Sequence, residues 1–543
     1  MDTNLNQVEL VKDINPGVSD FNPRYQLPRN PDLPYSPPPA QVPNGSFPTS
    51  LVEFNDRLYF NADDGENGRE LFVSDGTADG TQLVKDIHPG TTDYGYSYSS
   101  SPENLVEFNN QIFFSADDGE NGNELFVSDG TAEGTQLLVD LYPGENNYGD
   151  NGSFPRNLTE FDGKLYFAAN DGENGNELFV SDGTAEGTQL LVDLRPGEDN
   201  YGNSNGAYPN NLTEFDGKLY FAANDGENGN ELFVSDGTAE GTQLLVDLRP
   251  GEDNYGNSNG AYPSNLTEFD GKLYFTANDG ENGNELFVSD GTAEGTQLLV
   301  DLYLGGNQYG SYSSYPSDLV EFNDKLYFSA DDGENGRELF VSDGTAEGTQ
   351  LLVDLAPGES NDGFSNSSAP TNLVEFNDKL YFTADDGENG NELFVTDGTT
   401  EGTQLVADIN PGIDNYSYPN DSFASSLTVV GDELFFAADN GETGTELFKL
   451  TVSDLTESSP IEINGSDRAD NLIGGDRNNL LDGGIGDDNL NGGNGEDIFV
   501  LRTGAGSDNI FDFNLGSDRF GLGDGLQFDD LSFRGIISSR EEK

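Results

Sequence analysis

The stretch ELFVSDGTAEGTQLLVDL at residues 177–194 returns with small changes along most of this 543-residue chain. The Asp of its Ser/Thr-Asp-Gly-Thr core falls at Asp75, Asp129, Asp182, Asp236, Asp290, Asp343 and Asp397, at intervals of 54, 53, 54, 54, 53 and 54 residues. A period of that length marks an array of supersecondary units that bury their apolar side chains against one another, as in solenoids and propellers. Residues 157–209 are identical to residues 211–263, so one unit is an undiverged copy of its neighbour. Function therefore belongs to many equivalent surfaces or to the parts outside the array.

One unit, residues 157–195, holds four short apolar runs separated by turn residues. Leu158 to Phe161 is followed by Asp162-Gly163, a two-residue hairpin signal. Lys164 to Ala169 is closed by DGENG at residues 171–175, Glu177 to Ser181 by DGTAEG, and Thr188 to Asp193 is the fourth run. Four antiparallel strands in about 40 residues match a propeller blade. Leu165 and Phe167 share one strand face, and Tyr166 and Ala168 share the other. Apolar residues on both faces suit sheets packed between neighbours rather than a sheet with one wet face.

The ends of the array bear on its closure. SLTVVGDELFFAADNGETGTELFKLTV, residues 426–452, supplies three strands without the Asp-Gly-Thr turn, whereas VELVKDINPG at residues 8–17 matches the fourth-strand sequence QLVKDIHPG at residues 82–90. The predicted fold is all-β: a closed propeller of about eight four-stranded blades, the last completed by the N-terminal strand, followed by a short parallel β-roll. Closure removes exposed sheet edges. An open, capped solenoid is the alternative. The expected domains are the propeller at 1–452, a linker at 453–463, a roll at 464–513 and a terminal region at 514–543. Within the propeller, residues 18–46, Pro-rich from Pro23 to Pro43, form a connector.

With 101 acidic and 23 basic side chains the formal net charge is −78, which disfavours nucleic acid and anionic membranes as partners. There is no Cys, no Trp, one Met and one His, His88, so disulfides, thiolate chemistry and zinc clusters are excluded. No basic-then-apolar signal peptide is visible at the N-terminus, and no run of about 20 apolar residues spans a membrane.

ELFVSDGTAEGT, preceded by LYFAANDGENG and followed by LLVDLRPG, resembles the bacterial repeat family named for Glu-Leu-Trp-x-x-Asp-Gly-Thr. Phe72, Phe126, Phe179, Phe233, Phe287, Phe340 and Phe394 stand at its Trp position, a conservative change for a packed aromatic. The resemblance covers roughly residues 8–450 and implies a propeller-like, often large extracellular protein. The Asp of each Asp-Gly-Thr turn is expected to accept hydrogen bonds within its own turn, in a position similar to the structural Asp-box turns of sialidase propellers. The DDGENG turns, with Asp63, Asp64, Glu66 and Asn67 as an example, read as solvated hairpins rather than calcium loops.

The connections between blades mix acids, amides, glycines and tyrosines. Tyr148, Tyr201, Tyr208, Tyr255, Tyr262 and Tyr309 are candidate ligand contacts, with Tyr312, Tyr315 and Tyr416 in similar loops. Clustered on one face they would suit sugars; alternatively they pin the loops to the blades.

At residue 464 the pattern changes. GGIGDDNLN at residues 483–491 and GGNGEDIFV at residues 492–500 both follow Gly-Gly-x-Gly-x-Asp-x-apolar-x. This resembles the repeats-in-toxin, or haemolysin-type, calcium-binding family, whose repeats build a parallel β-roll. Glycines permit the turn and expose carbonyls, Asp supplies charge and oxygen, and Leu490 or Phe499 points inward. The resemblance implies Ca2+ as cofactor. The metal residues it indicates are Asp470, Asn479, Gly483, Gly484, Gly486, Asp488, Gly492, Gly493, Gly495, Asp497 and Asp508. Family sites pair turns two units apart, here Asp470 with Asp488 and Asn479 with Asp497. Ser466, Arg468 and Arg477 replace glycines, and Asn479 replaces an Asp. One or two ions are expected rather than a ladder. In that family the C-terminal region directs type I secretion, although FRGIISSREEK is a short, charged ending.

The expected function is a secreted or cell-surface calcium-binding protein with a non-catalytic propeller for binding, adhesion or scaffolding, and with calcium-induced folding of its roll. Its expected partners are calcium and glycans or surface polymers. One alternative is an extracellular polysaccharide hydrolase or lyase using a carboxylate pair, which near-identical blades do not favour. Another is a calcium-bridged coat or matrix protein. His88 occupies a loop position filled elsewhere by Tyr142, Arg195 or Ala356.

Overall fold

The computed structural model describes residues 6–19, 42–144, 152–198, 204–252, 256, 258–307, 310–359, 365–413, 418–452, 461–464, 471–475, 479–493, 497–502, 506–514 and 517–522. Among them there are strands and turns but no helix. The chain divides into two compact units, Val8–Thr451 and a second formed by Met1–Gln7 with Val452–Lys543.

The first unit is an eight-bladed β-propeller of four-stranded sheets. In the third blade the strands are Arg156–Phe161, Lys164–Asn170, Asn176–Ser181 and Gln189–Val192, paired antiparallel in that order. Asp162 and Gly163 both have positive φ, 48° and 69°, the geometry a two-residue hairpin turn requires. Phe167 pairs with Phe179, and their rings lie 5.9 Å apart. Both faces of the middle strands are buried, as the apolar pattern predicts, because the packing lies between blades. Phe161, Tyr166, Leu178 and Val180 of the third blade join Leu219, Phe221, Ala223 and Phe233 of the fourth in one cluster. The Tyr166 hydroxyl reaches the Gly237 carbonyl in the Asp-Gly-Thr turn of the adjacent fourth blade, at 3.4 Å. Gly237, at φ 84°, leaves no room for a Cβ beside that hydroxyl.

The eighth sheet is built from Ser425–Val430, Glu433–Asp439 and Thr445–Val452, with Asn6–Lys12 as its fourth strand. First strands of successive blades meet along the array, and Ser425–Val430 meets both Thr371–Phe376 and Thr49–Glu53. Of the Pro-rich connector, residues 20–41 lie outside the described residues; Val42–Pro43 pairs with Val18–Ser19.

Each blade buries one glutamate completely. Glu177 accepts the Leu194 backbone N–H at 2.9 Å through Oε2 and the Ala207 N–H at 2.9 Å through Oε1. It thereby ties the third strand to the connection leading into the next blade. The same tie joins Glu70 to Ser100, Glu124 to Ser153, Glu231 to Ala261, Glu285 to Ser314, Glu338 to Ser368, Glu392 to Ser422 and Glu446 to Ser46. Burial pushes the carboxyls of Glu124, Glu177, Glu231, Glu285, Glu392 and Glu446 up to about 7.

In the second unit the strands pair parallel. Ile461–Asn464, Asn479–Asp482, Ile498–Leu501 and Arg519–Leu522 form one sheet, and Asn471–Gly475, Asn489–Gly493 and Asn509–Ile510 another. Leu481, Leu490 and Phe499 are fully buried, with Ile463, Leu472, Ile510, Phe513 and Phe520 packed against them.

Candidate functional site

The glycine-rich turns of the second unit carry the densest set of buried acids. Gly483 to Asp488 leads into Asn489–Gly493, and Gly492 to Asp497 leads into Ile498–Leu501. Asn479, Asp488 and Asp497 are buried. Asp497 Oδ1 accepts the Asn479 backbone N–H at 2.8 Å and its side-chain amide at 3.2 Å, so these two residues, 18 positions apart, meet. Oδ2 of Asp497 is buried and has no hydrogen-bond partner among the described residues. Burial raises the Asp497 carboxyl above the usual range, and Asp518 and Asp512 add to the effect.

Asp508 lies beside Asp488, accepting its backbone N–H at 3.2 Å. Burial, with Asp488 and Asp487 nearby, raises its pKa as well. Asp470 and Gly495 lie outside the described residues, so the pairing of Asp470 with Asp488 has no structural account. Two acids absent from the sequence expectation join the set. Asp512 accepts the Gly492 and Gly493 N–H groups at 2.9 and 2.6 Å, and Asp518 accepts the Asp497 N–H at 3.1 Å. Their offsets of 20 and 21 residues depart from the 18-residue step that links Asn479 to Asp497. Unlike Asp508, which ends the run Gly504-Ala-Gly506-Ser, neither ends a Gly-x-Gly-x-Asp run that a pattern search would find. Among the described residues no three Asp, Glu, His or Cys side chains converge as a metal-holding group. A hard cation here would therefore also draw on carbonyl oxygens of the glycine turns.

The acids of the propeller turns are engaged locally. Asp182 Oδ1 accepts the Thr184 N–H at 2.9 Å and its hydroxyl at 2.7 Å, and the Thr184 hydroxyl in turn accepts the Gly187 N–H at 3.1 Å. In the DDGENG turn Asp63 accepts from Gly65, and Asp64 from Glu66 and Asn67. His88 stacks on Tyr98, with ring centroids 4.7 Å apart, and lies over Gly119 as Tyr142 lies over Gly172 and Arg195 over Gly226. It fills a packing position.

Of the candidate tyrosines, Tyr148, Tyr201, Tyr255 and Tyr309 lie outside the described residues, as does Tyr416. Tyr312 packs against Tyr303 at 4.8 Å. Tyr208 and Tyr262 are exposed, at equivalent places just before the first strand of a blade. Tyr315 and three residues missed in the sequence, Phe47, Phe154 and Phe423, share that place and that exposure. The signal was present as an aromatic two residues ahead of the first strand in six of the eight blades, followed by Pro in all but Phe423.

No family model matches this sequence, and no curated protein matches it. Among solved structures the chain is similar to the computationally designed Ika8 protein, with 20% identity, a TM-score of 0.42, and 75% of this chain aligned to 97% of that one. It is similar to a puromycin hydrolase at 13% identity and TM-score 0.42, covering 78% of this chain and 62% of the hydrolase. A puromycin-hydrolyzing peptidase of Mycobacterium tuberculosis aligns at 11% identity and TM-score 0.41, over 78% of this chain and 63% of the peptidase. The chain thus spans less than two thirds of these enzymes.

Proposed function

We propose that this chain is a secreted or cell-surface, calcium-dependent binding protein without catalytic activity. In this reading the eight blades close into a ring that presents repeated binding surfaces, and the C-terminal strands form a β-roll that folds when calcium is present. Ring closure is supported by the meeting of Ser425–Val430 with Thr49–Glu53 and by the N-terminal strand in the eighth sheet.

The observation that carries the calcium reading is Asp497 Oδ2, a buried carboxylate oxygen with no hydrogen-bond partner among the described residues, on a carboxylate held beside Asn479. An unpaired buried acid is costly unless a cation or a proton accompanies it. Asp488, Asp497, Asn479 and Asp508 would hold the ion, with carbonyls of Gly483, Gly484, Gly486, Gly492 and Gly493. A bound calcium ion supplies charge neutralisation and oxygen cross-linking of the turns, which couples its binding to folding.

Calcium titration of the full chain by calorimetry, paired with circular dichroism, tests this. One or two sites, with β-structure gained on binding, are expected. Absence of any calcium-dependent heat or spectral change overturns it.

A further inference from the structure

Six aromatic side chains recur at one structural position, where the connection enters the first strand of a blade. They are Phe47, Phe154, Tyr208, Tyr262, Tyr315 and Phe423, and their exposure runs from 45% for Phe423 to 64% for Tyr262. Ser101 and Ala369 fill the place in the two remaining blades. Single exposed apolar residues are ordinary, but a series repeated blade after blade is not.

All six have φ between 47° and 53°, a region that disfavours bulky side chains. The backbone is held there from two sides. At the entry to the fourth blade Tyr208 donates its N–H to the Asn176 carbonyl of the third at 3.0 Å, while the preceding Ala207 N–H is bound by Glu177. Each ring is thus presented outward from a buried, hydrogen-bonded base. Pre-organisation of this kind lowers the entropic cost of binding.

Neighbouring positions are close. Asn157 donates its amide to the Pro209 carbonyl and Asn265 its backbone N–H to Asn211 Oδ1, so the segment carrying Tyr208 adjoins those carrying Phe154 and Tyr262. At Tyr208 polar groups lie close by. The Arg156 guanidinium lies 5.7 Å from the Tyr208 ring centre, and Asn210 bonds the Tyr208 carbonyl at 2.9 Å. Flat, exposed aromatic faces repeated from blade to blade match the apolar faces of successive sugar rings. The net charge of −78 opposes anionic polymers.

We infer that these six aromatics form a multivalent platform for a neutral polysaccharide, successive blades stacking against successive parts of one polymer. The inference rests on the reading of the propeller as a binding module and names its ligand class. Each contact is weak, and the series multiplies them.

The test is affinity electrophoresis of the full chain in gels containing hydroxyethylcellulose, galactomannan or alginate. Retardation by a neutral polymer is expected, exceeding any by alginate. The triple variant Tyr208→Gly, Tyr262→Gly, Tyr315→Gly removes three rings where glycine suits the backbone, so its thermal midpoint should hold or rise. Its apparent affinity should fall at least tenfold. No retardation in any neutral gel, retardation by alginate alone, or an unaffected triple variant overturns the inference. Self-association of the wild type that the triple variant loses would assign the platform to a second copy of this chain and also overturn it. Calcium calorimetry on the same samples separates the two readings, since intact calcium binding without retardation defeats only the polysaccharide.

Discussion

Glu177 and Ala207 stand 30 positions apart in sequence, yet the carboxylate of one receives the backbone N–H of the other at 2.9 Å in a fully buried setting. With Leu194 on the second oxygen, both faces of the carboxylate are spent on backbone donors. This is the joint between one blade and the next.

Replacing Glu177 with Gln puts an NH2 group against a backbone N–H. A buried donor facing a donor costs about 1–3 kcal/mol. The denaturant midpoint of Glu177→Gln should fall accordingly, and an unchanged midpoint would show that the joint is not needed for stability.

The pH dependence follows from six such carboxyls with folded values of about 7 against an ordinary 4.5. The unfolded state releases these protons first as pH rises, so native stability is fullest below 4.5 and declines up to about 7. The exposed turn acids, such as Asp182 and Asp236, act oppositely. Bonds from Thr184 and Thr238 lower their values, so their contribution is lost as pH falls below the ordinary 3.8. In chelator, the thermal midpoint of the propeller should rise from pH 8 to pH 5. A midpoint that climbs with pH across this range would contradict the assignment.

Phe179 is buried and stacked on Phe167 at 5.9 Å. Truncation to Ala leaves a cavity between blades, and large-to-small changes of this type cost about 3–5 kcal/mol. Phe179→Ala should shift the chemical unfolding midpoint strongly, with the same change at Phe233 behaving alike because its surroundings repeat.

Asp497→Asn removes the charge of the carboxylate that Asn479 holds. Calcium affinity by calorimetry should fall at least tenfold, while the thermal midpoint of the propeller stays where it was. Equal affinity in the variant would move the site elsewhere.

The blades were readable because LYFAA and ELFVS carry apolar residues on both faces and Asp162-Gly163 can turn only one way. The joints were not. Glu177 looks like a charged residue at a strand edge, and nothing local says that its partner is Ala207 in a distant connection. The aromatic platform was half visible. Tyr208 and Tyr262 stood out, but Phe47, Phe154 and Phe423 were masked by the change of side chain and by Ser101 and Ala369 in the same register. In the glycine turns, the meeting of Asn479 with Asp497 followed from the 18-residue step of a resembling family. Asp512 and Asp518 escaped because neither ends a Gly-x-Gly-x-Asp run, as Asp508 does.

Ile14 gives its N–H to Glu446, made 432 residues later. At about 5–20 residues per second of synthesis, the first strand waits roughly twenty to ninety seconds for its sheet to exist. The middle blades can assemble in the order they emerge, whereas the opening segment must stay unpaired and out of reach of wrong edges until the last one arrives. A segment made ahead of seven whole blades is thus among the last to find its place, and anything that holds it apart in the interval acts on the assembly of the whole ring of sheets.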